Sequence, residues 1–186
     1  MDISQQLINE CKSNNRLSQK ALYLQLLPYL RAVCVRYLYN TNLVKDVLQE
    51  AFILIFKNLN KYDSNKGAFH KWAVTITINA TLNYNRRMSL RNQDQFEIDL
   101  HDIPQIPVVL QNLSIEASLH LLKKMPSDYF EVFNLFIIDG YDHKEISEML
   151  DINVELSRKR LSRARVWLKE AFAQQSEKNI DIKKPF

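Results

Sequence analysis

The stretch from Asp139 to Phe172 constrains this chain more than any other. Asp142, followed three residues later by Glu145, has the spacing of a capping box, in which two side chains satisfy the open N–H groups of a helix start. Ile146, Met149 and Leu150 then recur at helical spacing. Asp151-Ile152-Asn153 is a short polar break, and the Asn153 side chain can cap the next helix. In that second helix Val154, Leu161, Ala164, Leu168 and Phe172 fall on one side at about 100° per residue. Lys159, Arg160 and Arg163 fall on the other, with Glu155 and Leu156 above them, while Arg158 and Arg165 flank the apolar stripe. A helix packed on one face and cationic on the other suits a DNA major groove. Phosphates take point charges there, and base edges take Arg or Lys forks. A solvated basic face on an ordinary helix pair carries the same charges, but the capped short helix and tight turn before it favour a DNA-binding helix-turn-helix.

Glycine and proline decide the fold class. Two Gly and five Pro among 186 residues leave little for β-turns and favour long helices, so the chain reads as all-α. The net charge is only +4, yet it is concentrated. Residues 154–169 hold Arg158, Lys159, Arg160, Arg163, Arg165 and Lys169 against Glu155 alone, a basic patch on a near-neutral body. Such a patch points to a polyanionic partner. The longest wholly apolar run, Ala51 to Phe56, is far short of the roughly 20 residues of a membrane helix, so no direct membrane insertion is expected. Met1-Asp2-Ile3 lacks the basic start of a signal peptide. Cys11 and Cys34 have no metal spacing and read as buried thiols in a reducing, cytoplasmic setting. His70, His101, His120 and His143 are scattered, and neither a Gly-rich phosphate loop nor a nucleophile elbow occurs. We therefore expect no catalytic residue, metal site, cofactor or small-molecule substrate.

Upstream, Leu7, Ile8 and Cys11 share one side of a first short helix that Asn14-Asn15 breaks. Apolar positions then run from Leu17 to Leu27, and Pro28 suits a kink or the start of another helix reaching Leu38. In the helix from Leu43 to Leu59, Val44, Val47, Leu48, Ala51, Leu54, Ile55 and Leu59 form a buried stripe. Its other side carries Asp46, Gln49, Glu50 and Lys57, together with the apolar Ile53 and Phe56. Those two are either a partner surface or a second packing face. Val74 to Ile78 alternates like a strand, but Phe69, Ala73, Ile76, Ala80 and Tyr84 keep helical spacing, which predicts a helix. Lys61, Lys66, Lys71, Arg86 and Arg87 mix there with Tyr62, Phe69 and Trp72. Interleaved cations and aromatics suit single-stranded DNA, although Phe69 and Trp72 fit a core equally well. Residues 88–111 are polar, hold Pro104 and Pro107, and read as a linker. Helices are expected again over Leu113–Lys124 and Asp128–Ile138, with a capped break at Met125-Pro126-Ser127.

Two segments, in order, resemble the bacterial extracytoplasmic-function sigma factors. Asp46-Val47-Leu48-Gln49-Glu50-Ala51-Phe52 resembles the family's polymerase-binding helix. Asn60-Lys61-Tyr62-Asp63, Gly67-Ala68-Phe69 and Trp72 resemble its promoter-opening loop, and Ile76, Asn79, Leu82, Asn83 and Arg86-Arg87 the helix after it. Met125-Pro126, Val132-Phe133, Asp139-Gly140-Tyr141, Glu145 to Leu150 and Arg160-Leu161-Ser162-Arg163-Ala164-Arg165 resemble its C-terminal helix-turn-helix.

The resemblance implies a protein that binds core RNA polymerase and directs promoter recognition, melting and initiation without itself being an enzyme. It implies polymerase contacts at Asp46, Gln49, Glu50, Ile53 and Phe56. It implies −10 DNA contacts at Lys61, Tyr62, Ser64, Lys66, Trp72, Asn79, Asn83 and Arg86, where flipped bases are held. Duplex −35 DNA would meet Leu156, Arg158, Lys159, Arg160 and Arg163. An anti-sigma partner is implied too. The domains would span 1–88 and 112–175, with a linker at 89–111 and a tail at 176–186. Two departures from the family pattern stand out: Asp151 occupies a turn position usually held by Gly, and Val154-Glu155-Leu156-Ser157-Arg158-Lys159 replaces the usual Val-Gly-Thr-Val-Lys-Ser opening. The rival reading is a free-standing helix-turn-helix regulator that binds duplex DNA without polymerase.

Overall fold

The computed structural model describes residues 3–38, 40–91 and 122–181, and the chain divides into two units between Ile106 and Pro107. Among the described residues every regular element is helical, as the scarcity of glycine predicts.

The first unit holds α1 (Gln5–Lys12), α2 (Arg16–Tyr37), α3 (Val44–Lys57) and α4 (Phe69–Arg91), with single 3-10 turns at Thr41–Leu43, Leu59–Lys61 and Ser64–Lys66. Asn15 starts α2 by accepting from Leu17 N and Ser18 N at 3.0 and 3.2 Å. Pro28 neither begins nor ends a helix: α2 runs straight through it. Pro28 and Leu24 both lie on the exposed side, where water can take the Leu24 carbonyl that proline leaves without an N–H. Leu26 and Leu30, fully buried to either side, hold the helix in place. One core gathers Ile8 and Cys11 of α1, Leu22, Leu26, Leu30 and Cys34 of α2, Val47, Phe52 and Ile55 of α3, and Leu59, Tyr62, Phe69 and Ala73 beyond. Burial lifts the Cys34 thiol to about 11 and raises Cys11 too, so both are packing residues.

The strand-like run in α4 is helix, and its threonines show how. The hydroxyls of Thr75, Thr77 and Thr81 donate to the carbonyls of Lys71, Ala73 and Thr77, four residues back, at 3.0, 2.9 and 2.8 Å. Thr77 and Thr81 are thereby buried without an open donor. The buried face of α4 is accordingly more polar than an apolar stripe predicts. It includes Phe69, Ala73, Thr77, Ala80, Thr81 and Asn85, whereas Ile76 and Tyr84 are only partly covered. Asn85 Nδ2 donates to the Tyr37 carbonyl at 3.0 Å and ties α4 to the end of α2.

The second unit holds α5 (Ser127–Phe133), a π-helical turn (Asn134–Ile138), α6 (His143–Leu150) and α7 (Val154–Asp181). Pro126, not Ser127, stands at the N-cap of α5, without a side-chain cap bond. The capping box is complete: Asp142 Oδ1 accepts from Lys144 N and Glu145 N, and Glu145 Oε2 accepts from Asp142 N, all at 2.8 Å. Asp151 closes α6 in the left-handed conformation (φ 54°, ψ 49°), where the sequence departs from glycine. Asn153 Oδ1 accepts from Leu156 N at 2.7 Å and starts α7. Phe130, Val132, Leu135, Ile146, Leu150, Leu161 and Ala164 are buried between these helices. The backbone of α7 runs to Asp181, past the tail boundary expected at 175, and α4 reaches Arg91. The expected linker from residue 92 on, and most of the helix expected over 113–124, lie outside the described residues.

Candidate functional site

Three surfaces carry the candidate residues. On α3, Asp46, Gln49 and Ile53 are exposed and Phe56 is half-buried. Ile53 is 58% exposed, a large apolar side chain left to water one turn from Gln49. Phe56 stacks toward Phe52, with ring centroids 6.4 Å apart, and Tyr23 of α2 lies 4.5 Å from the Phe52 ring. Tyr23, Leu27 and Arg31 of α2 and Gln49, Ile53 and Phe56 of α3 line a shallow groove of about 880 Å³. Its lining mixes the aromatic rings of Tyr23, Phe52 and Phe56 with the amide of Gln49 and the cation of Arg31. Glu50 is engaged elsewhere: its carboxylate receives Arg87 Nη2 at 3.0 and 3.3 Å and bridges α3 to α4.

The second surface joins the loop after α3 to α4. Lys61, Ser64 and Lys66 are exposed on the loop. Trp72, Asn79, Asn83 and Arg86 fall within about 60° of one another around the α4 axis, so one face presents all four. Trp72 and Asn79 are half-buried, Asn83 and Arg86 exposed. Tyr62 corrects the expectation of a DNA-facing ring, because it belongs to the core. Its ring meets Phe69 edge-on at 4.9 Å and Trp72 at 5.6 Å, and its hydroxyl donates to the Gly67 carbonyl at 3.0 Å. Three aromatics within eleven residues bury one another, and the loop's outer rim is left to Lys61, Ser64 and Lys66.

The third surface is α7. Arg158, Lys159 and Arg163 are exposed and Leu156 is half-buried. Lys159 pairs with Glu155 one turn back at 2.8 Å, an exposed pair that competing phosphate can readily replace. Arg160 departs from the expected DNA face. Its side chain is only 22% exposed and Nε stands 3.4 Å from Asp128 Oδ2, though not aligned as a hydrogen bond. This arginine braces α7 against α5, a role that helical periodicity could not reveal because Asp128 lies 32 positions earlier.

A polar pair that the apolar pattern missed lies under the same helix. Ser157 is fully buried, and its Oγ is 2.9 Å from His143 Nδ1, linking α6 to α7. The His143 ring stacks on Phe136 at 4.6 Å. Burial first, then the positive charges of Arg158 and Arg165, hold the His143 pKa below its ordinary value, against an opposing pull from Asp142.

Residues 22–91 match the Sigma-70 region 2 family, and residues 115–168 match the Sigma-70 region 4 family. Over 152 residues the chain is 30% identical to the ECF RNA polymerase sigma factor SigW of Bacillus subtilis, spanning 74% of this chain and 80% of that protein. The chain belongs to the extracytoplasmic-function (ECF) sigma factors. It is also 26% identical over 173 residues to the RNA polymerase sigma-H factor of Pseudomonas aeruginosa, covering 87% of this chain and 89% of that one. Its fold is shared with the sigma factor RpoE of Bartonella quintana, solved with the anti-sigma factor NepR, at a TM-score of 0.60, 19% identity, and 83% and 96% coverage. CnrH, solved with the cytosolic domain of CnrY, gives a TM-score of 0.54 at 21% identity, covering 90% and 96%. The region 2 match of this sigma factor ends at Arg91, where α4 ends.

Proposed function

We propose that this ECF sigma factor divides initiation among the three surfaces just described. The α2/α3 groove, with Asp46, Gln49, Ile53 and Phe56, docks core RNA polymerase. The loop rim and the outer face of α4 capture −10 bases as single-stranded DNA: Trp72 supplies a stacking edge, Asn79 and Asn83 supply amide hydrogen bonds, and Lys61, Lys66 and Arg86 hold the backbone. Exposed α7, through Leu156, Arg158, Lys159 and Arg163, reads duplex −35 DNA in the major groove. Nothing in this division requires bond chemistry in the chain, and the polymerase supplies all catalysis. An anti-sigma partner covers some of these faces, as NepR accompanies RpoE. The protein works in the cytoplasm, beside the nucleoid.

The single observation that carries this reading is the region 2 match across α2 to α4, coupled to a helix-turn-helix in the second unit. A free-standing regulator has no use for a polymerase-docking unit, so the sigma reading prevails over that rival. The test is run-off transcription with core polymerase on supercoiled DNA from the source genome. Initiation at discrete sites only in the presence of the protein is the expected result. Tight duplex binding by the protein alone, with no initiation, would overturn it.

A further inference from the structure

The region 2 match begins at Leu22, so α1 lies outside it, yet α1 reaches the promoter-opening loop. Ile8 and Cys11 pack into the same core as Leu59 and Tyr62. Ser18 Oγ of α2 donates to Glu10 Oε2 at 2.6 Å, and Gln19 Nε2 donates to the Cys11 carbonyl at 3.4 Å, fixing α1 along α2. From that seat the half-buried Lys12 extends Nζ to the Tyr62 carbonyl at 3.3 Å and lies 6.0 Å from the Tyr62 ring centre. Tyr62 in turn holds the far side of the loop, because its hydroxyl donates to the Gly67 carbonyl. Gly67 has φ +146°, a conformation that side-chain-bearing residues rarely adopt, so the backbone that Tyr62 grips is one that glycine accommodates.

We propose that Lys12 is a positioning residue for −10 recognition: through Tyr62 it fixes the loop that carries Ser64 and Lys66. The inference rests on the −10 assignment made above. Lys12 touches no DNA. Its ammonium holds the carbonyl at one end of a six-residue loop, Tyr62 to Gly67, while the Tyr62 hydroxyl holds the carbonyl at the other. A loop clamped at both ends enters base capture already ordered, so less conformational entropy is lost when DNA arrives. Tyr62, although buried, thus acts on the DNA surface through the loop's shape.

The test uses the full-length protein in complex with core polymerase. Lys12→Met keeps the apolar stem and removes the charge and the donor, and Lys12→Arg restores both. Capture of a single-stranded oligonucleotide bearing the −10 sequence of a promoter mapped by run-off is read by fluorescence anisotropy. Lys12→Met should weaken capture about three- to tenfold, the range of one hydrogen bond, and Lys12→Arg should recover most of it. Polymerase affinity and the unfolding midpoint serve as controls and should change little. Unchanged capture by Lys12→Met, with Asn79→Ala impaired in the same assay, overturns the brace and leaves the −10 face standing. Unchanged capture by both variants overturns the −10 assignment and the brace with it. Equal losses in capture and in polymerase affinity, without rescue by arginine, reduce Lys12 to a general folding residue and also overturn the proposal.

Discussion

Asn85→Ala tests how α4 is held in register. Asn85 is 8% exposed and donates one 3.0 Å hydrogen bond to the Tyr37 carbonyl, in the last turn of α2, where the helix's own N–H groups no longer reach. Truncation removes that buried bond at a cost of about 1–2 kcal/mol. For a unit of this size that lowers the unfolding midpoint by roughly 4–16 °C. Calorimetry of the full chain reads it: the transition of the first unit should fall and that of the second stay in place. Asn85→Asp sharpens the test. It keeps the volume but sets an acceptor against an acceptor, so at neutral pH it should be at least as damaging as alanine. A midpoint within about 2 °C of wild type for alanine, or a tolerated aspartate, refutes the reasoning, since a bond worth this little cannot be the tie between α2 and α4. Since Asn79, Asn83 and Arg86 lie on the same helix, promoter melting should fail in parallel at temperatures where the first unit has begun to open.

Three other outcomes are expected. Arg163→Ala should weaken duplex −35 binding and reduce the salt slope by about one, whereas Arg160→Ala should mainly destabilise the second unit by about 1 kcal/mol, with Asp128→Ala showing the same loss and the pair less than additive. Equal salt slopes for the two arginine variants contradict this contrast. The helix-turn-helix should lose stability on acidification. His143 is held neutral in the fold below its ordinary 6.5, so its share of stability is complete above that pH. It is lost as the pH falls through the lowered folded value, because the unfolded chain takes up the proton first. Titration of the imidazole by NMR should give a midpoint below 6.5, and Asn in place of His143 should flatten the acid limb; a midpoint at or above 6.5 would sink the argument. Asp142→Ala should cost about 1–2 kcal/mol through the capping box, read by denaturant unfolding, and an unchanged midpoint would mean that the box is not holding α6.

Local chemistry made much of this molecule legible in advance. The capping box at Asp142 and Glu145 and the cap at Asn153 act over three residues, so spacing alone reveals them, whereas the left-handed turn at Asp151 was signalled only by the glycine that the resembled family carries there. The apolar stripe of α3 was readable for the same reason, apart from the buried Phe52 that its pattern leaves out and Leu54, which is only partly covered. The α4 helix was harder. Its β-branched run favours a strand locally, the wider helical spacing from Phe69 to Tyr84 favours a helix, and packing against α2 and α3, with hydroxyls turned back on the helix, upholds the second.

What sequence by itself determined, then, was the all-helical class, the helix-turn-helix and the polarity of its basic helix, because periodicity, capping and charge are properties of neighbouring residues. The tertiary structure decided which polar side chains face inward. Asn85 bonds a carbonyl 48 positions away, Lys12 one 50 positions away, and Arg160 meets an acid from another helix. Tyr62, a plausible stacking ring by composition, is closed into the core by Phe69 and Trp72. No periodicity encodes such pairings. They exist only once the helices have packed, since a buried donor or acceptor must find whatever partner the assembled fold brings within about 3 Å.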